Sequence, residues 1–336
     1  MLLEPSPIAA REPSPIKWGH EAPLIQILAL LFLSFCILSV GAQFATKLIL
    51  RKRLDVADAV LFVALILVIG QLSTLLSPEG RIVGNSPIGL PDEQIEGAMK
   101  ALYSGAILGI LTLGVAKISL LVSLRMITPI NWHRVVIHTV GIFTIAWVLT
   151  AVFSTAFQCP SPRQWDILGE RCIDLRSVRT YIAIGNILTD IALLAIPTII
   201  IVPVQLTLGK RFTLLSGFWF RAGVIGATVA QVFYLQQLAL DKEYLSTVWQ
   251  LVVSEEVVYT TSIIATCIPF LKPFLLSLES GFLRADDENR RGDTSLPSSS
   301  NNGSSGWTSR YIKIRNQRGW GQSIELSTSF SRGTHD

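Results

Sequence analysis

Seven runs of apolar residues, each long enough to cross a bilayer, dominate this chain and restrict what it can become. They fall at 24–44, 59–76, 98–121, 135–157, 181–204, 214–238 and 248–276. A helix crossing the hydrocarbon needs about 20 such residues. Without water, every backbone N–H and C=O must bond within its own segment, so the runs read as helices. The expectation is an all-α, polytopic membrane protein: a seven-transmembrane helix bundle over 23–276, a short segment 1–22 before it and a tail over 277–336. The first run is too long for a cleavable leader and follows a Pro-rich, polar stretch, so it is expected to remain as an anchor.

Charge supports the bilayer as solvent. Only 15% of residues are charged, against about 25% in soluble domains. The net charge is +4, but Lys and Arg flank the apolar runs and form no basic face, which excludes nucleic acid as a partner. Positive residues stay cytoplasmic. The segments after runs one, three, five and seven hold sixteen Lys and Arg, among them Lys47, Arg51, Arg125, Arg134 and Arg211, while the opposite set holds eight. The N-terminus is therefore expected outside and the C-terminus in the cytoplasm. Four Arg in the fourth loop, Arg163, Arg171, Arg176 and Arg179, run against that trend.

From Ser277 the chain turns polar and then Ser- and Asn-rich, a composition that buries no core and predicts disorder. The sequon Asn302-Gly303-Ser304 falls in this tail and, being cytoplasmic, is expected to carry no glycan. Arg310, Lys313, Arg315 and Arg318 interleave with Trp307, Tyr311 and Trp320. That stretch either lies on anionic cytoplasmic lipid or is plain solvated tail.

Cys159 and Cys172 share the fourth loop on the oxidising side, where they are expected to form a disulfide; two free thiols are the other reading. Cys36 and Cys267 fall inside helices and read as packing residues.

The fourth loop, Phe157, Gln158, Cys159, Pro160, Trp165, Cys172, Ile173 and Asp174, resembles that of the fungal rhodopsin-domain family of seven-helix membrane proteins, which includes the satratoxin-cluster membrane-protein family and receptor-like relatives of Pth type. Tyr181, Asn186, Thr189, Asp190 and Pro197 are similar to the family's pattern in the next helix. Cys267, Pro269, Phe270, Lys272 and Pro273 resemble its closing signature. Gln231 stands where many members carry Arg. The resemblance implies the fold more than an activity.

Polar and ionisable groups inside spans are costly unless paired or hydrated, so they are candidate functional residues. Asp190 lies mid-helix with Asn186 one turn earlier on the same face, as an interhelical clasp or a ligand or ion site. Glu255 and Glu256 differ by about 100° around their helix. Glu256 shares a face with Tyr259 and Thr260 and is favoured to point inward, whereas Glu255 points to the mouth; alternatively both lie near the headgroups. With Gln231 these residues suggest an outer polar cavity among helices five, six and seven. Lys117 and Arg221 lie deeper, as an inner ionic clasp or as side chains snorkelling to the inner headgroups. Gly105 with Gly109, and Gly223 with Ala227, read as close-packing faces. Pro197, Pro269 and Pro273 bend their helices, as static kinks or as hinges.

The four His residues form no metal-ligand pattern, and no nucleophile motif is present, so no catalytic residue, metal or cofactor is expected. A retinal Schiff base needs a buried lysine; the lysine of the last run, Lys272, sits at its cytoplasmic end. Arg125 ends helix three without a preceding acid and reads as a positive anchor. The expected function is a non-enzymatic, receptor-like protein of the plasma membrane that senses an extracellular small molecule or surface cue and acts on a cytosolic signalling partner. The alternatives are an ion-coupled transporter, or an accessory membrane protein of a secondary-metabolite pathway.

Overall fold

The computed structural model describes residues 22–49, 54–85, 90–128, 130–166, 172–202, 208–238 and 244–292. They fold as α1 (Ala22–Ile49), α2 (Val56–Leu76), a 3-10 turn (Gly80–Ile82), α3 (Asp92–Ile127), α4 (Asn131–Ala156), α5 (Leu175–Ile201), α6 (Leu208–Trp219), α7 (Arg221–Gln237), α8 (Tyr244–Thr247) and α9 (Trp249–Gly292). Seven helical segments are long and apolar enough to span, as the sequence predicts, and no strand occurs among the described residues. Two units divide the chain, Met1–Arg284 and Ala285–Asp336. The described part of the second is the end of α9.

Most helices outrun their apolar stretches because polar residues complete the end turns. α3 starts at Asp92, and Asp92 and Glu93 in its first turn complement the helix dipole. Asp174 caps α5, accepting from the amides of Arg176 and Ser177 and from the Ser177 hydroxyl at 2.8 Å. That hydroxyl holds the Asp174 carboxyl below its ordinary range.

Two expectations need correction. The sixth run is two helices, broken at Phe220 after a Ser216-Gly217 pair of the kind at which helix ladders weaken; the sixth span is Leu215–Gln237. The composition change at Ser277 does not end α9, which continues to Gly292 because helix formers such as Glu279, Leu283 and Arg284 follow, with no proline between Pro273 and Gly292. The tail beyond, with Asn302 and the basic stretch, lies outside the described residues.

The bundle is organised around α3 and α9. The α3 span is 67% buried and the α9 span 72%, whereas α1, α4 and the sixth span are 22% buried each. Ala116, Ile263 and Cys267 pack with Cys36, Leu61 and Val68 on one side. On the other, Ile110, Val258 and Tyr259 pack with Trp147, Ile182 and Val224. The outward faces carry Leu38, Ile142, Phe153 and Phe233, all more than half exposed in the bare protein. A surface this apolar belongs against lipid.

Glycine sets the closest approaches. A Cβ on Gly109 would overlap the Tyr259 ring, and one on Gly185 the Trp147 indole. Gly223 has open space around it, so it is not the packing contact the sequence suggested. We expect Gly109→Ala and Gly185→Ala to destabilise by about 1–3 kcal/mol through overpacking. Gly223→Ala is expected to be neutral or to stabilise by up to about 1 kcal/mol through helix propensity. Thermal unfolding in detergent reads all three.

One end of the bundle is closed by loop contacts. Cys159 and Cys172 are disulfide-bonded, with Cα atoms 4.3 Å apart. The Ile173 amide donates to Gln158 O at 2.9 Å beside them. Lys100 of α3 lies 4.6 Å from the Trp165 ring centre, joining this loop to the bundle. Gly84 takes a left-handed φ of 91°, which turns its amide toward Leu245 O at 2.9 Å. Next to Leu245, burial pushes the Tyr244 hydroxyl up to about 12. A raised phenol stabilises the fold below its unfolded value near 10 and loses that contribution as pH rises through the folded one. Wild-type stability should therefore fall between pH 10 and 12 by more than that of Tyr244→Phe, as measured by thermal unfolding across that range.

Candidate functional site

Asp190 occupies the centre of a buried ionic network. One carboxylate oxygen, Oδ1, pairs with Arg221 Nη1 and the other, Oδ2, lies 3.1 Å from Lys117 Nζ. Lys117 also donates to Asn186 O at 2.9 Å, to Asn186 Oδ1 at 2.7 Å and to Thr189 Oγ1 at 2.6 Å. Its ammonium is 5.2 Å from the Trp147 ring centre. Arg221 Nη2 donates to Thr266 Oγ1 at 3.1 Å, and Asn186 Nδ2 to Thr228 Oγ1 at 2.9 Å. Two cations and one anion are thus tied across α3, α5, α7 and α9, and the neighbouring dipoles and the indole face absorb the surplus positive charge.

This geometry corrects the expected segregation of acids outward and bases inward. Lys117 and Arg221 are no more than 1% exposed and do not snorkel. They converge on Asp190 because α3 is encircled by other helices, which puts its mid-helix lysine beyond reach of either headgroup layer. Arg221 reaches Asp190 from the first position after the break at Phe220. Asn186 and Asp190 consequently face the network.

A second polar layer lies toward the disulfide end. Glu255 pairs with Arg179, and Gln231 Nε2 approaches Glu255 Oε1 at 3.3 Å. Glu256 accepts from Gln71 Nε2 at 2.5 Å. The reading that left Glu255 at the mouth is corrected: both carboxylates are buried, one toward α5 and α7, the other toward α2. On a helix surrounded by neighbours, two azimuths 100° apart both point inward. Tyr259 and Thr260 are buried one turn deeper.

The outer cavity expected among helices five, six and seven is an apolar groove of about 280 Å³ between α7 and α9, lined by Ala227, Tyr234, Trp249 and Val257. A polar cleft of about 1130 Å³ lies instead between α2, the 3-10 turn and α3, lined by Thr74, Ser77, Glu79, Glu93, Glu96 and Lys100. Glu96 is paired with Lys100 at 2.9 Å, so Glu79 and Glu93 leave the cleft net negative. Among the described residues no three of His, Cys, Asp and Glu converge as a metal site.

The family model of the fungal rhodopsin domain matches residues 42–277, which include all of these polar groups. The chain belongs to the fungal rhodopsin-domain family. It is accordingly a multi-pass membrane protein in contact with the lipid bilayer. No match was found among curated proteins or among solved structures. Within this rhodopsin-domain bundle, sequence reasoning missed Gln71 and Arg179. Gln71 was detectable as a lone amide in an apolar run, a costly placement that asks for a partner. Arg179 was counted as a loop charge, yet it sits in α5 and is engaged by Glu255.

Proposed function

We propose that this protein is receptor-like: it senses a small, polar, positively charged molecule at the outer face of the plasma membrane and signals through α9. The carrying observation is the placement of the net-negative cleft. It opens at the disulfide-bonded end, and one turn below its Thr74, on the same helix, Gln71 is bonded to Glu256 of α9. A ligand drawing the outer end of α2 toward α3 would pull on that bond. Asn186, Asp190, Lys117 and Arg221, the last bonded to Thr266, form the rigid base that anchors α9, while Gln231, Glu256, Tyr259 and Thr260 form the outer layer that moves.

The cleft end is read as extracellular, with the N-terminus on that side. The disulfide supports this. So do Lys47, Arg125 and Arg134 at the opposite ends of their helices. The excess of Arg in the fourth loop is in part accounted for, since Arg179 is paired with Glu255 and Arg176 Nη2 donates to Leu238 O at 2.6 Å. No retinal is part of the reading: the Lys117 amine is engaged by four oxygens and an indole face. The purified protein should show no visible band that hydroxylamine abolishes.

Oε2 of Glu256 is buried with no hydrogen-bond partner among the described residues, which favours a second reading, an ion-coupled carrier. Proteoliposomes separate the two. Small organic amines should raise the unfolding midpoint of the wild type and not of Glu79→Gln/Glu93→Gln, with no accompanying proton or cation flux. Amine-coupled flux that disappears in Glu256→Gln would replace the receptor by the carrier.

A further inference from the structure

We propose that the groove between α3 and α4, at the end opposite the disulfide, is a binding site for a phospholipid with an anionic headgroup. Two adjoining cavities build it. One, of about 210 Å³, is lined by Leu121, Ile137, Gly141, Ile142 and Ile145 and reaches Arg125 and His138. The other, of about 280 Å³, is lined by Val122, Arg125, Met126 and Arg134. Val122 and Arg125 belong to both, so an apolar slot leads directly into a basic mouth.

No acid among the described residues pairs with Arg125 or Arg134. Arg134 Nε donates to Thr128 O at 2.9 Å, which fixes the guanidinium stem and leaves both terminal nitrogens to bind. A guanidinium pair offers the forked donors that match a phosphate. Trp132, 71% exposed in the same first turn of α4 as Arg134, is the amphipathic ring expected at headgroup level. The floor of the slot is Gly141, where an added Cβ would meet only Leu121 Cδ1, at 3.9 Å. A missing side chain on a lipid-facing helix, beneath a basic mouth, makes room for an acyl chain whose phosphate lies between the two arginines. Anionic lipids are concentrated in the cytoplasmic leaflet, the side on which the basic helix ends place this mouth. The site requires neither the sensing nor the carrier reading.

The test is native mass spectrometry of the full chain in detergent, with palmitoyl-oleoyl phosphatidylserine and phosphatidylcholine added in equal amounts. Phosphatidylserine adducts should predominate. Arg125→Gln and Arg134→Gln should each lower them about fivefold, the loss expected for one basic contact to an anionic lipid. Gly141→Leu, which fills the slot and keeps both charges, should lower them too, and glycerol phosphate should not displace them. Equal adducts of the two lipids on the wild type would overturn the proposal without any variant. Adducts unchanged in Arg125→Gln/Arg134→Gln, or unchanged in Gly141→Leu, would also overturn it.

Discussion

An Asp190→Ala variant is expected to unfold on the order of 10 °C below the wild type in detergent. The cause is charge balance in a buried site. Asp190 is the anion between Lys117 and Arg221, and all three are at most 1% exposed. Removing one partner of a buried pair leaves the other uncompensated, at about 3–5 kcal/mol, and here two cations are stranded. Lys117→Met should cost less, because a neutral Asp190–Arg221 pair remains. Cys36 and Cys267, buried and free, provide the readout: a thiol-reactive dye reports their exposure as the bundle opens. Equal midpoints for Asp190→Ala and Lys117→Met would show that the carboxylate does not balance both cations.

Opening the disulfide is expected to have the next largest effect. The bridged residues are 13 apart, and closing a loop of that length removes about 3 kcal/mol of unfolded-chain entropy. Cys159→Ser/Cys172→Ser should therefore lower the unfolding midpoint, and a reductant should do the same to the wild type but not to the double variant. The same cysteines report sidedness. On intact cells a membrane-impermeant maleimide should label the wild type only after reduction. Labelling that requires permeabilised cells would reverse the orientation and place the cleft in the cytoplasm.

The seven spans were legible because hydrocarbon tolerates little besides apolar residues, and 20-residue runs survive any uncertainty about their ends. The break at Phe220 was not, since a ladder interrupted for one residue leaves the hydropathy unchanged. Asp190, Lys117, Arg221 and Glu256 announced themselves as polar groups inside apolar runs. Their partners did not, because period and spacing place residues around one helix but give no azimuth between helices. Lys117 and Asp190 meet only because α3 and α5 present those faces to each other. Glu255 was misplaced for the same reason: how far a helix is enclosed decides whether a second azimuth is inward, and enclosure is a property of the whole bundle. Gly223 and Gly185 show the limit from the packing side. Gly185 receives an indole while Gly223 faces open space, a difference made by neighbours distant in the chain.

The ionic network also constrains biogenesis. Lys117 leaves the ribosome in the third span, well before its counter-ion in the fifth and the guanidinium in the sixth have been made. A lone ammonium is costly in hydrocarbon, which favours holding this helix beside the wet lateral gate of the translocon until α5 is translated. A ribosome stalled between the two should yield a product still crosslinked to that gate.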